Sequence, residues 1–190
     1  MKFVGLGHIN IVVDNLDSAV GYYSSLLKAK PIQSLPHFKN VGFARSVGFT
    51  QKPSNVDVSM VLMDVNDSGI QLKLMEFHCP QGRDLNLEKR TNDIGGVGHI
   101  CIKVEDIDEC FEHVRTHAQT RFITDSENYR PFQLTPINNK ECYFFKEELE
   151  QNSKAKQMAC EQVESAKSFY FVDRYGIQWE FEQECCSEVH

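Results

Sequence analysis

His8 and His99 stand at matching points of a sequence that repeats itself. A shift of 91 residues carries Gly7, His8, Ile9, Ile11, Val13 and Asp17 onto Gly98, His99, Ile100, Ile102, Val104 and Asp108. Imidazole moves protons near neutral pH and is the commonest metal-binding side chain. A lone histidine on an apolar strand is more often a hydrogen-bonded core residue, but two at equivalent points of a repeat, with a glutamate on the matching exit strand, point to a shared task. That glutamate comes from a second echo, in which Gly69-Ile70-Gln71-Leu72-Lys73-Leu74 maps onto Gly176-Ile177-Gln178-Trp179-Glu180-Phe181 at a shift of 107. The match sets Lys73 against Glu180. A carboxylate can hold a metal or take a proton, whereas an ammonium has no lone pair for a metal. Lys73 would instead bind an anion or, with its pKa lowered, act as a base.

Other residues offer chemistry with competing explanations. Cys101 shares the His99 face of its strand and could be a nucleophile with His99 as base, yet cysteine is among the commonest buried strand residues. Asn10, its counterpart beside His8, could donate a hydrogen bond to bound substrate. Arg45 lies in a β-like run and, if turned inward, would clamp a carboxylate or phosphate. His113 and His117 have the i, i+4 spacing of a zinc chelate, but no His-Glu-x-x-His pattern joins them, and a solvated helix face accounts for them. Phe43, Phe49, Met60, Tyr129, Phe169 and Phe171 suit pocket walls and core packing equally. Gly95-Gly96-Val97-Gly98 precedes a strand, where a nucleotide-binding glycine loop would follow one, so hydride and phosphoryl transfer are disfavoured.

The elements that must position these groups are also doubled. Ile9, Ile11 and Val13 alternate with His8, Asn10 and Val12, and Ile100, Ile102 and Val104 repeat the period-2 pattern, so both stretches are expected strands. Asp17 precedes one helical pattern (Val20, Tyr23, Leu26, Leu27), and Asp106 or Asp108 another (Phe111, Val114). Expected β segments follow around Val41 to Phe49, Val56 to Val65 and Gln71 to His78, then around Arg121 to Leu134, Phe169 to Val172 and Gln178 to Glu182. The unit is βαβββ, twice: module 1 over residues 1–82 and module 2 over residues 95–190. Gln81 to Gly96 reads as a linker. The second copy carries extra residues from Asn138 to about Lys167, of which Lys146 to Val163 favours a solvated helix.

The 190 residues are 41% hydrophobic and 25% charged, with 13 Phe, six Tyr and one Trp, enough for one moderate core or two small modules. A net charge of −7 sets most of the surface against a phosphate backbone or anionic membrane, so no nucleic-acid partner is expected. No apolar run approaches the roughly 20 residues of a membrane helix. Seven cysteines form no Cys-x-x-Cys pattern, and Cys185 and Cys186, being neighbours, cannot easily bridge each other. Reduced thiols in a cytoplasmic protein are expected.

Two βαβββ units, a Gly-His-Ile-x-Ile strand opening each, and Asp173-x-x-Gly176-x-x-x-Glu180 closing the second resemble the vicinal oxygen chelate superfamily. That family includes glyoxalase I, methylmalonyl-CoA epimerase, extradiol dioxygenases and the bleomycin and fosfomycin resistance proteins. The resemblance implies an α+β, glyoxalase-like fold in which two modules form one curved eight-stranded mixed sheet around a central cleft. It implies a divalent metal (Fe, Zn, Mn, Ni or Co) on His8, His99 and Glu180, with Asn10, Arg45 and Cys101 as candidate substrate-binding residues and Glu180 and Lys73 as catalytic candidates. It leaves homodimerisation open.

Where the family places a fourth ligand, Glu or Gln, this chain has Lys73. Three arrangements follow: a three-residue site of the two-His-one-carboxylate kind, with Lys73 beside it; a strand bulge delivering Gln71, or less readily Glu76 from the opposite face; or no metal, with Lys73 paired to Glu180. With a metal, the expectation is a lyase or isomerase of the glyoxalase or epimerase kind acting on a small oxygenated molecule or, with Fe(II) in the three-residue site, an extradiol-type dioxygenase; without one, it is a non-catalytic small-molecule-binding protein.

Overall fold

The computed structural model describes residues 1–2, 4–66, 68–83 and 90–184. The chain divides into two compact units, Met1–Leu85 and Asn86–His190. Part of the Gln81 to Gly96 linker, and the pair Cys185 and Cys186, lie outside the described residues. The five described cysteines are all free. No helix among the described residues is long and apolar enough to cross a membrane.

The first unit opens with β1 (Ile9–Val12), in which Ile11 is buried while Asn10 and Val12 are exposed, as the alternation requires. Helix α1 (Leu16–Leu26) starts where the Asn15 side chain accepts the Ser18 N–H. Strands β2 (Ala29–Phe38), β3 (Asp57–Val65) and β4 (Gln71–Cys79) complete a four-stranded sheet of order β1-β4-β3-β2, with β1 parallel to β4 and the other pairs antiparallel. One face of this sheet carries Val61, Met63, Leu72 and Leu74, and α1 contributes Ala19, Tyr23 and Leu26 to the buried core. At roughly 25 cal/mol per Å² of apolar area removed from water, each of the valine, leucine and methionine side chains contributes about 1.5–3 kcal/mol.

Two sequence expectations change here. Val41 to Phe49 is not a strand: α2 spans Val41–Ser46, because Asn40 caps it by accepting the Phe43 N–H. The missing strand is β2, whose Pro31 and Pro36 argue against a sheet interior. It lies at the sheet edge, where a residue without an N–H is tolerated.

The second unit repeats the plan with β5 (Ile100–Lys103), α3 (Ile107–Thr116) and, at its end, β8 (Lys167–Val172) and β9 (Gln178–Gln183). Asp106 caps α3 by accepting the Glu109 N–H. Here the expected strand over Arg121 to Leu134 is reduced to β6 (Arg121–Phe122) and β7 (Phe132–Gln133), both pairing with β8. The inserted segment forms α4 (Glu147–Glu150) and α5 (Ser153–Ser165), so its helical expectation holds. The core is aromatic: Phe169, Phe171 and Trp179 are fully buried, and Phe111 meets Phe169 edge-on at 5.2 Å. Among the described residues strand pairing gives a four-stranded sheet in the first unit and a five-stranded sheet in the second; the single eight-stranded sheet expected from the sequence is not confirmed.

Candidate functional site

The internal repeat survives in the strand register. In the first unit Leu62, Lys73 and Asn10 lie abreast on β3, β4 and β1; in the second, Tyr170, Glu180 and Cys101 lie abreast on β8, β9 and β5. Each row projects from the face opposite that unit's helix-covered core.

In the second unit the sequence motif Asp173-x-x-Gly176-x-x-x-Glu180 acquires a mechanical meaning. Asp173 is buried; its Oδ1 accepts the Tyr175 and Ile177 N–H groups at 2.9 Å each, and its Oδ2 accepts the Trp179 indole N–H at 2.9 Å. Gly176 takes a φ of 78°, which a side chain would resist. The turn is fixed, Trp179 is anchored in the core, and the next residue, Glu180, emerges on the other face. Glu180 is only 8% exposed. Its Oε1 accepts the Tyr170 hydroxyl at 2.6 Å, and its Oε2 lies 3.1 Å from His99 Nε2. Tyr170 and His99 meet edge-on at 5.3 Å.

Two groups here are held protonated. Burial, then the hydrogen bond to Glu180 and its charge, raise the Tyr170 phenol. Burial of the thiol, then the charges of Glu180 and Glu182, push Cys101 up to about 12. A thiol raised in this way is a poor nucleophile. One buried donor in this row's neighbourhood, Nε2 of Gln178, has no hydrogen-bond partner among the described residues.

In the first unit, His8 and Lys73 line a cavity of about 130 Å³ together with Gln33, Leu35, Met60 and Leu62. Asn10 turns back on its own sheet and donates to the Lys73 carbonyl at 2.9 Å. Gln71 shares the Lys73 face by alternation, and Glu76 projects from the other face, where its Oε2 accepts the Leu16 N–H at 2.8 Å. Arg45 sits exposed in the last turn of α2. Of the proposed pocket walls, Met60 lines the cavity, whereas Phe169 and Phe171 belong to the core of the second unit.

Sequence reasoning missed Tyr170 as the partner of Glu180. The signal was present, because a tyrosine between Phe169 and Phe171 must face away from the core those two fill.

The donor set fits a divalent ion as far as each unit carries it. The edge of a tetrahedron with bonds of about 2.0 Å is about 3.3 Å, close to the His99–Glu180 separation, so the two atoms can share one ion with little movement. The family model of the Glyoxalase/Bleomycin resistance protein/Dioxygenase superfamily matches residues 5–127. The chain belongs to this superfamily. Similar solved structures include a glyoxalase family protein from Bacillus cereus, 17% identical with a TM-score of 0.64 over 97% of this chain and 96% of that one. A glyoxylase/bleomycin resistance protein/dioxygenase domain from a Frankia species is 16% identical, with a TM-score of 0.55 over 100% and 98%. The genomically encoded fosfomycin resistance protein FosX from Listeria monocytogenes is 15% identical, with a TM-score of 0.50 over the whole of both chains. At these identities the likeness concerns the fold, which is the α+β glyoxalase-like one. Among curated proteins, none matches the chain.

Proposed function

We propose that this superfamily member is a metal-dependent enzyme acting on a small oxygenated, anionic molecule, with His8, His99 and Glu180 as ligands of one divalent ion. The observation that carries the reading is the convergence of His99 Nε2 and Glu180 Oε2 at 3.1 Å on the face of the second sheet opposite its aromatic core. When bound, such an ion acts as a Lewis acid on adjacent substrate oxygens. The remaining work falls to the chain. Lys73, in a cavity with His8 and Gln33, supplies a cation for a substrate carboxylate or a developing enolate oxygen. Glu180, where its carboxylate is free to move, would be the base for a proton next to a carbonyl: the C–H bond breaks, the proton passes to the carboxylate, and the electron pair moves onto the carbonyl oxygen. Tyr170 holds the other oxygen of Glu180 and so fixes its direction. Return of the proton to a different atom or face gives an isomerase or epimerase; expulsion of a leaving group gives a lyase.

A second reading has its own support. Lys73 occupies the repeat position of Glu180, and a cation there suits a binding protein that sequesters an anionic metabolite without turnover. Elemental analysis of protein purified without chelator separates the two. The enzyme reading expects Fe, Zn, Mn, Ni or Co, and a drop of about one equivalent in both His8→Ala and His99→Ala, with solubility kept. Unchanged metal content in both variants overturns it. Iron in that equivalent directs the chemistry to ring-opening dioxygenation, and the other ions direct it to lyase or isomerase chemistry.

A further inference from the structure

The opposite face of the first sheet carries a second set of ligands. At one end of β2, β3 and β4, ligand atoms of His37, Asp57 and His78 all lie within 4.8 Å of one another. His37 Nδ1 is 3.2 Å from each oxygen of Asp57, and the two imidazoles stack with centroids 4.5 Å apart.

Their meeting is a product of irregular pairing. The β2–β3 ladder slips between Leu35 and Phe38, with His37 in the gap at a φ of 47°; the β3–β4 ladder slips between Asp57 and Val58, leaving His78 without a register partner. Extra residues of this kind re-aim side chains. Both imidazoles thereby join Asp57 and Ser59, which alternation puts on one side of β3.

We propose that His37, Asp57 and His78 form a second divalent-cation site, independent of the one assigned to His8, His99 and Glu180, and suited to zinc. Two imidazoles and a carboxylate are its usual oxygen and nitrogen ligands. The 3.2 Å between His37 and Asp57 already matches a tetrahedral edge, and rotation of His37, whose side chain is 67% exposed, brings the set together. The surroundings orient the ligands as metal sites require. His78 Nδ1 lies 3.4 Å from Glu76 Oε1, and Glu76 is itself anchored by the Leu16 N–H, so Nδ1–H turned to Glu76 leaves the Nε2 lone pair for the ion. Ser59 Oγ, 2.8 Å from that Nε2, is the fourth donor at hand. Lys39 Nζ, 3.4 Å from Asp57 Oδ2, is the competing cation; its side chain is 60% exposed and free to swing away. Bound there, zinc ties the edge strand β2 to β3 and β4.

The test is calorimetric titration of the full chain with Zn²⁺ at neutral pH in the double variant His99→Ala, Glu180→Gln, which disables the first site. The expected result is about one equivalent still bound, with affinity falling at least about tenfold on adding His37→Ala or Asp57→Asn. No zinc bound by the double variant overturns the proposal, and so does binding unaffected by His37→Ala. His37→Ala, at an exposed residue, keeps the test open should Asp57→Asn fail to fold. Failure here leaves the elemental-analysis result on His8 and His99 untouched.

Discussion

Glu180 is a carboxylate taken out of water and then given partners, which sets its cost and its use. A buried, unpartnered carboxylate would be strongly disfavoured, so the Tyr170 hydroxyl and the His99 ring are part of what lets it sit 8% exposed. Tyr170→Phe removes a hydrogen bond to a charged group and is expected to lower unfolding free energy by about 1–2 kcal/mol, read by urea denaturation. The same variant frees Glu180 Oε1 and is expected to weaken metal retention about tenfold or more, read by chelator competition. Asp173→Ala leaves two backbone N–H groups and the Trp179 indole without their acceptor and is expected to cost about 3 kcal/mol. Trp179 is the only tryptophan and is fully buried, so its emission reports that transition directly.

At the scale of elements, sequence pattern and pairing position act together. The strands that begin directly after His8 and His99 were legible because hydrophobic alternation is strict there. Edge strand β2 was not, since its prolines and polar residues are acceptable only once β3 lies on one side and solvent on the other. Helix α2 was misread as a strand because aromatic and branched residues favour strands on average, while the decisive signal was one capping side chain, Asn40. The inserted helices offer a pH test. Glu150 is held below the ordinary glutamate value of 4.5 by Lys156 and by the Phe144 N–H. A depressed carboxyl stabilises fully above its unfolded value and loses that contribution as pH falls through the folded one. Protection of the Phe144 amide, measured against its intrinsic exchange rate at each pH, is therefore expected to be full above pH 4.5 and to fall below it, and Glu150→Gln is expected to abolish that step. In the aromatic core of the second unit, Phe169→Ala is expected to cost about 3–5 kcal/mol, again followed by Trp179 emission.

At the scale of the whole molecule, the charge of −7 predicts that the chain binds an anion exchanger and passes through heparin at neutral pH and low salt; retention on heparin would reveal a local basic surface that the sum conceals. The duplication, both opening strands, the helical insertion and membership of the superfamily were all readable from residues, because periodicity and repeat spacing are local properties of the chain. Pairing was not. The strand order of each sheet, the row of Tyr170, Glu180 and Cys101, and the meeting of His37, Asp57 and His78 depend on which strands hydrogen-bond and where the ladder slips. A one-residue slip turns a side chain to the other face, and only contacts between residues far apart in sequence decide where that slip occurs.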